Sequence, residues 1–356
     1  MEFVNVNSLR LDHTLVPGEG VRFNQRYSHV GEDHVLTTDK LELIRGHEAV
    51  KRARLQLEPW LPLVRVTKEA NRDDLPTRVV LELTNHCNSN CTMCPRNAMT
   101  RPLTHMDTRL AKRLIDEVSE EGVNALWLFN IGESLLHPDF FEILEHCRTK
   151  EIDGTLWLSS NGQNLDSPTR VKILDFPVDI LNISVNAMSE EAYAKVSPKL
   201  DFHTIRHNIL SFVSEKQRSG RARPLVRVQM VEVPHVVDEI EAFKREYADK
   251  ADILSINKLE VFSQNVDSLS NTSAVVKNAK IARCNRLERN DFFVMADGRI
   301  TCCATDFNGE HDLGNAADGS IKEIFTGDKY ERLMTAYEGG SLHELEICST
   351  CRDYNL

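Results

Sequence analysis

The chain has 356 residues, 41% of them hydrophobic and 27% charged, which suits a large globular protein and excludes a disordered tract or a small disulfide-stapled module. Its net charge of −11 excludes a general nucleic-acid binder, because phosphate contacts need a basic stripe and none is visible. Nine cysteines and the absence of a secretory start imply a reducing compartment, where thiols serve metal ligation or redox chemistry rather than disulfides. Met1-Glu2-Phe3-Val4-Asn5 lacks the basic start and apolar run of a signal peptide. No segment reaches the ~18 apolar residues of a membrane span, so a cytoplasmic protein with no membrane partner is expected.

Residues 1–76 form an extension without a recognisable motif. Thr38 is placed to cap a helix with apolar positions at Leu41, Ile44, Val50, Ala53 and Leu57, ending at Pro59. A lid, a packing arm and a partner-binding segment all fit this stretch. From Arg78 the pattern alternates: a strand at Val79–Thr84, a helix from Asp107 through Leu110, Leu114, Ile115 and Val118, and a strand at Ala125–Ile131. It continues with a helix from Pro138, strands at Thr155–Ser159 and Ile180–Val185, a helical stretch over 189–218, a strand at Leu225–Val231, a helix over 237–247 and a strand at Ile253–Asn257. Six strands alternating with helices predict an α/β fold over 77–265, a parallel sheet curved as a partial (β/α)6 barrel with ligand sites at the carboxyl ends of its strands. A polar linker, Ser263–Asn278, leads into a small C-terminal domain (266–356) with a hairpin over Phe292–Cys303 and a helix over Ser320–Tyr337.

The segment leaving the first strand, Leu83-Thr84-Asn85-His86-Cys87-Asn88-Ser89-Asn90-Cys91-Thr92-Met93-Cys94-Pro95-Arg96, sets Cys87, Cys91 and Cys94 within eight residues. Three thiolates on a [4Fe–4S] cluster leave one iron open to another ligand. Zinc is the alternative, but structural zinc usually takes four protein ligands. Ile131-Gly132-Glu133-Ser134 follows the second strand, Ser160-Asn161-Gly162 the third, and Ile183-Ser184-Val185-Asn186 ends the fourth.

These motifs, in this order, resemble those of the radical S-adenosylmethionine (SAM) superfamily, whose C-x-x-x-C-x-x-C signature Cys87, Cys91 and Cys94 match. The resemblance implies that these three cysteines hold a [4Fe–4S] cluster whose open iron chelates the amino and carboxylate groups of SAM. One electron then cleaves the sulfonium to a 5′-deoxyadenosyl radical. Gly132 and Glu133 resemble the family's glycine–glutamate–proline motif at the SAM amino group, with Ser134 in place of proline. Ser160 and Asn161 resemble the turn beside the ribose, and Ser184 and Asn186 the segment that reaches the nucleoside or the SAM carboxylate. An ordinary Asn-Gly turn and satisfied strand hydroxyls are equally simple readings of these two pairs. Relatives often place an aromatic residue at the position of Met93, which supplies an apolar, polarizable contact near the adenine instead.

Cys284, Cys303, Cys348 and Cys351, with Asp297-Gly298 turning a hairpin, resemble the twitch domain, a shortened SPASM domain in which cysteines fully bind one auxiliary [4Fe–4S] cluster. A zinc ribbon is the alternative. Cys302 and Cys303 read as neighbours on a strand whose side chains face opposite ways, and the family spacing from Gly298 selects Cys303 as the ligand. That leaves Cys302 as a spare thiol, either packed under the hairpin or acting as a hydrogen donor, and helical Cys147 as core packing.

Relatives with one auxiliary cluster include the butirosin-pathway dehydrogenase and the neomycin epimerase, which act on carbohydrate-like molecules. The resemblance therefore implies hydrogen abstraction from a sugar- or cyclitol-like small molecule, with epimerisation or dehydrogenation as the outcome and Cys302 as the donor thiol if the outcome is epimerisation. Maturation of a ribosomally made peptide is the alternative. An external one-electron reductant such as flavodoxin or ferredoxin is the implied partner.

Overall fold

The computed structural model describes residues 10–16, 20–24, 33–36, 75–76, 78–123, 125–150, 152, 155–176, 178–258, 284, 287, 290–349 and 351. The expected helix over Thr38–Pro59 and the linker Ser263–Asn278 lie outside the described residues. In chain order, β1 (Arg10–Val16) and β2 (Gly20–Asn24) pair as an antiparallel hairpin and β3 (Asp33–Leu36) follows; none of the three was anticipated. Then come β4 (Arg78–Leu81), α1 (Thr108–Glu121), β5 (Ala125–Trp127), α2 (Phe140–Thr149), β6 (Thr155–Ser160), α3 (Ser167–Asp175) and β7 (Ile180–Ser184). The series continues through α4 (Glu190–Val196), α5 (Phe202–Ser219), β8 (Leu225–Glu232), α6 (Ile240–Tyr247) and β9 (Ile253–Lys258). Beyond it lie β10 (Asp291–Val294), β11 (Arg299–Thr301), β12 (Gly314–Asn315), α7 (Ile321–Phe325), α8 (Asp328–Glu338) and α9 (Glu346–Ser349).

Local chemistry sets these boundaries. The Asp107 carboxylate accepts the Arg109 and Leu110 N–H groups to start α1, and Gly122, at φ 70°, ends it. Asp166, Asp201 and Ser320 cap α3, α5 and α7 in the same way, Ser320 in a reciprocal capping box with Glu323. Two expected single helices are each two. The stretch over 189–218 breaks after Val196 at Ser197-Pro198, where Pro198 cannot continue the helix, and Lys199 takes a φ of 75°. The stretch over 320–337 breaks at Thr326-Gly327, with Gly327 capping α8. The second strand also stops at Trp127 instead of Ile131, because the Leu128 carbonyl takes the Ser134 hydroxyl (2.5 Å) rather than a neighbouring strand.

The chain forms two compact units, one drawn from Met1–Ala70 and Thr155–Lys258, the other from Asn71–Gly154 and Leu259–Leu356. In the first, β6, β7, β8 and β9 are parallel neighbours in that order, and β3 runs antiparallel along β9. Register separates two faces. Leu156, Leu158, Leu181, Ile183, Val226, Val228, Met230, Leu254 and Ile256 lie on one, the apolar core side. Ser159, Asn182, Ser184, Arg227, Gln229, Ser255 and Asn257 lie on the other.

In the second unit the strand order is β12-β11-β10-β4-β5, with β4 parallel to both of its neighbours and the β10–β11 hairpin antiparallel. The C-terminal hairpin thus extends the sheet that carries the first cysteine loop, an arrangement not read from the sequence. Helix α1 turns Ala111, Leu114, Ile115 and Val118 inward, and its larger apolar side chains contribute about 1.5–3 kcal/mol each on burial. Among the described residues no helix is long and apolar enough to cross a membrane.

Candidate functional site

In the second unit, β4 hands the chain to the cysteine loop, whose two ends are zipped together. Asn85 N–H bonds the Thr104 carbonyl (3.2 Å), Met106 N–H bonds the Leu83 carbonyl (2.8 Å), and Thr84 bridges His105. The fully buried Asn85 side chain accepts from Thr104 N–H (2.7 Å) and donates to the Pro102 carbonyl (2.8 Å). Arg96 reaches back to the Asn85 carbonyl (3.0 Å) and to Asn90 Oδ1 (3.2 Å). Asn97 donates to the Cys91 carbonyl (3.0 Å). The loop is therefore shaped largely by its own polar side chains.

Cys87, Cys91 and Cys94 are each partly exposed. Burial raises the Cys87 thiol above its ordinary value, the Ser89 N–H opposes it, and the charges of Glu133 and Cys91 add to the rise. Burial likewise pushes Cys94 up to about 12, opposed by the Arg96 N–H and reinforced by Cys91 and Cys87. The three thiols thus feel one another electrostatically. Yet no three His, Cys, Asp or Glu side chains among the described residues close on a point where a single metal ion would sit. The Ser89 hydroxyl lies 3.2 Å from Cys91 Sγ and is the donor once that sulfur is a thiolate.

Gly132 lies against the root of this loop. A Cβ there would overlap the Thr84 carbonyl oxygen and lie 2.8 Å from that of His86, so only glycine fits. Glu133 N–H bonds the His86 carbonyl (2.9 Å), and the buried Glu133 carboxylate caps the turn at Leu135 N–H (3.4 Å). Met93, within the loop, is buried. Three imidazoles gather here unannounced by any sequence motif: His86 stacks on His105 at 4.4 Å, and His105 meets the His137 edge at 5.4 Å. Burial lowers the His105 pKa, helped by the other two rings.

The remaining expected SAM contacts belong to the first unit. Ser160 Oγ accepts the Gly162 N–H (3.0 Å) and Asn161 Oδ1 accepts that of Gln163 (3.0 Å), a side-chain-closed turn with Gly162 at φ 80°. Asn208 holds the same turn through the Gly162 carbonyl (2.9 Å). Ser184 ends β7, and Asn186 donates to Ser197 Oγ (2.8 Å). On the polar face a ladder runs from Ser159 to Asn182 (2.9 Å), from Asn182 to Arg227 (3.2 Å), and from Arg227 to Ser255 (2.7 Å), which donates to Asn257 (2.5 Å).

The other cysteines return to the second unit. The hairpin turns at Asp297-Gly298 as expected, with Gly298 at φ 82° and no room for a Cβ beside Asn315. The strand does not extend through Cys302 and Cys303, however. It ends at Thr301, whose hydroxyl donates to Asp306 Oδ2 (2.7 Å) and accepts the Cys303 N–H (3.4 Å), so simple alternation does not apply to the two cysteines. Both are buried. Burial raises the Cys302 thiol well above its ordinary value, and Cys303, Cys284 and Cys348 add to the rise, so Cys302 shares the surroundings of the expected ligands. Asp306 also accepts Glu310 N–H (2.7 Å) and His311 N–H (2.8 Å), which shapes a loop carrying two sulfur partners. Thr305 Oγ1 lies 3.0 Å from Cys303 Sγ, and His311 Nε2 lies 3.5 Å from Cys348 Sγ. Cys351 follows one turn after Cys348, its N–H on the Cys348 carbonyl (3.2 Å). Cys147 is buried in α2.

Residues 81–246 match the radical SAM superfamily and residues 284–352 match SPASM, an iron–sulfur cluster-binding domain. The chain is 33% identical over 120 residues to the AdoMet-dependent heme synthase of Methanosarcina barkeri, a match covering 33% of either protein. The alignments span less than half the length of the curated relatives. Among solved structures, BtrN in complex with AdoMet and 2-DOIA shares the fold at a TM-score of 0.54 and 16% identity, over 78% of this chain and 93% of BtrN. Streptococcus suis SuiB bound to precursor peptide SuiA shares it at 0.56 and 12%, over 83% of this chain and 71% of SuiB. The two matched domains imply SAM and iron–sulfur clusters as cofactors. The chain belongs to the radical SAM superfamily and carries a SPASM-type iron–sulfur cluster-binding domain at its C-terminal end.

Proposed function

We propose that Cys87, Cys91 and Cys94 hold a SAM-binding [4Fe–4S] cluster, that Cys284, Cys303, Cys348 and Cys351 hold an auxiliary one, and that the chain acts on a sugar- or cyclitol-like small molecule. The observation that carries the reading is the seating of Gly132-Glu133 on the root of the thiol loop, which sets a buried carboxylate within electrostatic reach of Cys87. With a cluster and SAM held there, the site would supply one-electron chemistry able to remove a hydrogen atom from a substrate carbon. Glu133 accepts from the SAM ammonium, and Met93 gives the adenine an apolar contact. Ser160, Asn161, Ser184 and Asn186 are assigned to the nucleoside and carboxylate. Fold likeness to BtrN in complex with AdoMet and 2-DOIA favours this substrate class. The reaction is epimerisation or dehydrogenation, driven by an external one-electron reductant such as flavodoxin or ferredoxin, in the cytoplasm.

Anaerobic incubation of the reconstituted protein with SAM and deuterated sugars or cyclitols tests this. Deuterium in 5′-deoxyadenosine identifies both the substrate and the carbon. A ketone product means dehydrogenation. An inverted centre that Cys302→Ala fails to form, while still cleaving SAM, assigns the donor. Maturation of a ribosomally made peptide is the second reading, favoured by fold likeness to SuiB bound to its precursor peptide. Deuterium transfer from a peptide and from no polyol would establish it.

A further inference from the structure

Glu82 lies one residue past β4 and is wholly buried. A carboxylate there needs partners on every side, and it has five donors. Oε1 accepts from Arg101 Nη1 (2.8 Å) and Ala296 N–H (3.1 Å). Oε2 accepts from Arg101 Nη2 (3.0 Å), Asn130 Nδ2 (3.1 Å) and Ile131 N–H (3.4 Å). The forked pair is itself tied onward, since Arg101 Nε donates to the Phe307 carbonyl (2.8 Å). The residues recruited are not scattered. Arg101 closes the cysteine loop, Ile131 directly precedes Gly132-Glu133, Ala296 opens the Asp297-Gly298 turn, and Phe307 lies on the loop shaped by Asp306 that carries Thr305 and His311.

We propose that Glu82 and Arg101 are positioning residues that lock three segments in register: the loop of the SAM-binding cluster, the segment that presents Glu133, and the hairpin of the auxiliary cluster. A buried ion pair is a poor device for stability alone, because apolar residues of similar volume do as well or better. A bidentate fork with three further fixed donors instead permits one geometry. Through it, a shift in either loop is transmitted to the other. The inference rests on the proposed placement of the SAM ammonium at Glu133.

The test uses the full chain with both clusters reconstituted, comparing Glu82→Gln, Arg101→Lys and Asn130→Ala with the parent. SAM affinity, the SAM-induced change in the EPR spectrum of the reduced cluster, iron content and melting temperature are measured on each. Val118→Ala, a cavity in α1, serves as a destabilised control. Glu82→Gln and Arg101→Lys are expected to weaken SAM binding about 10–100-fold and to broaden the auxiliary signal. Asn130→Ala, which cuts only the arm to Ile131-Gly132, should weaken SAM binding and leave the auxiliary signal sharp. Val118→Ala should lower the melting temperature without moving either spectrum. Parent-like SAM affinity and spectra in Arg101→Lys and Asn130→Ala overturn the proposal, whatever Glu82→Gln does to folding. A parent protein whose loaded cluster shows no response to SAM would instead overturn the proposed function.

Discussion

Cys87, Cys91 and Cys94 are half-buried on one continuous loop, whereas the second set arrives from three separated stretches of chain, with Cys284, Cys303 and Cys348 buried and Cys351 half-buried. The first loop holds its shape through its own side chains, chiefly Asn85 and Arg96, and closes over about twenty residues. The second depends on a finished hairpin, on the Asp306 loop and on α9 to bring its thiols together. Partly exposed thiols, such as Cys91 beside the Ser89 hydroxyl, suit a cluster that must admit a ligand. Buried thiols, Cys303 beside Thr305 and Cys348 beside His311, suit a cluster meant to stay closed.

Four measurements break or sharpen this contrast. Replacing Cys87, Cys91 and Cys94 together by Ala should abolish 5′-deoxyadenosine formation while auxiliary iron, counted chemically, persists. Loss of all iron would show that the two sets do not assemble independently. Gly132→Ala comes next, since its methyl group cannot fit against Thr84 and His86; SAM affinity should fall about 10–100-fold with auxiliary iron unchanged. Thr305→Val removes a hydroxyl donor from Cys303 and should lower the midpoint potential of the auxiliary cluster alone in a redox titration followed by EPR. An equal shift in both signals would erase the distinction.

The smallest effect is expected in the first unit, which carries neither thiol set. Burial pushes the Asp179 carboxyl up to about 6, against the Leu156 N–H and the Arg223 charge. With a folded pKa above the unfolded one, the stability this group contributes is complete below the ordinary carboxyl range and is lost as pH rises through about 6. Asp179→Asn should therefore flatten the change in melting temperature between about pH 4 and pH 7. Both cluster signals should be untouched.

The same contrast explains what could be read in advance. The thiol loop was legible because its ligand spacing is local, and the strand–helix alternation was legible because α1 and the strands carry regular apolar spacing. Helix α3 escaped notice because Arg170 is buried against Glu215 while neighbouring Val171 is exposed, which inverts the usual pattern. The surroundings of Cys302 were misread because a tertiary bond from Thr301 to Asp306 ends the strand, and periodicity carries no trace of it. The role of Glu82, just past β4, is not legible in the sequence, since its five donors come from positions as distant as Ala296.

The parallel pairing of β10 with β4 bears on how the molecule is made. Arg78 and Asp291, joined across that pair, are 213 residues apart, so β4 leaves the ribosome long before its neighbour exists. Until then one side of β4 is an unpaired edge with free backbone groups, a template for pairing with other chains. Contacts of such long range also form slowly. A chain shortened before residue 290 is thus expected to aggregate, and expression that slows synthesis ahead of that point should lower the yield of native protein.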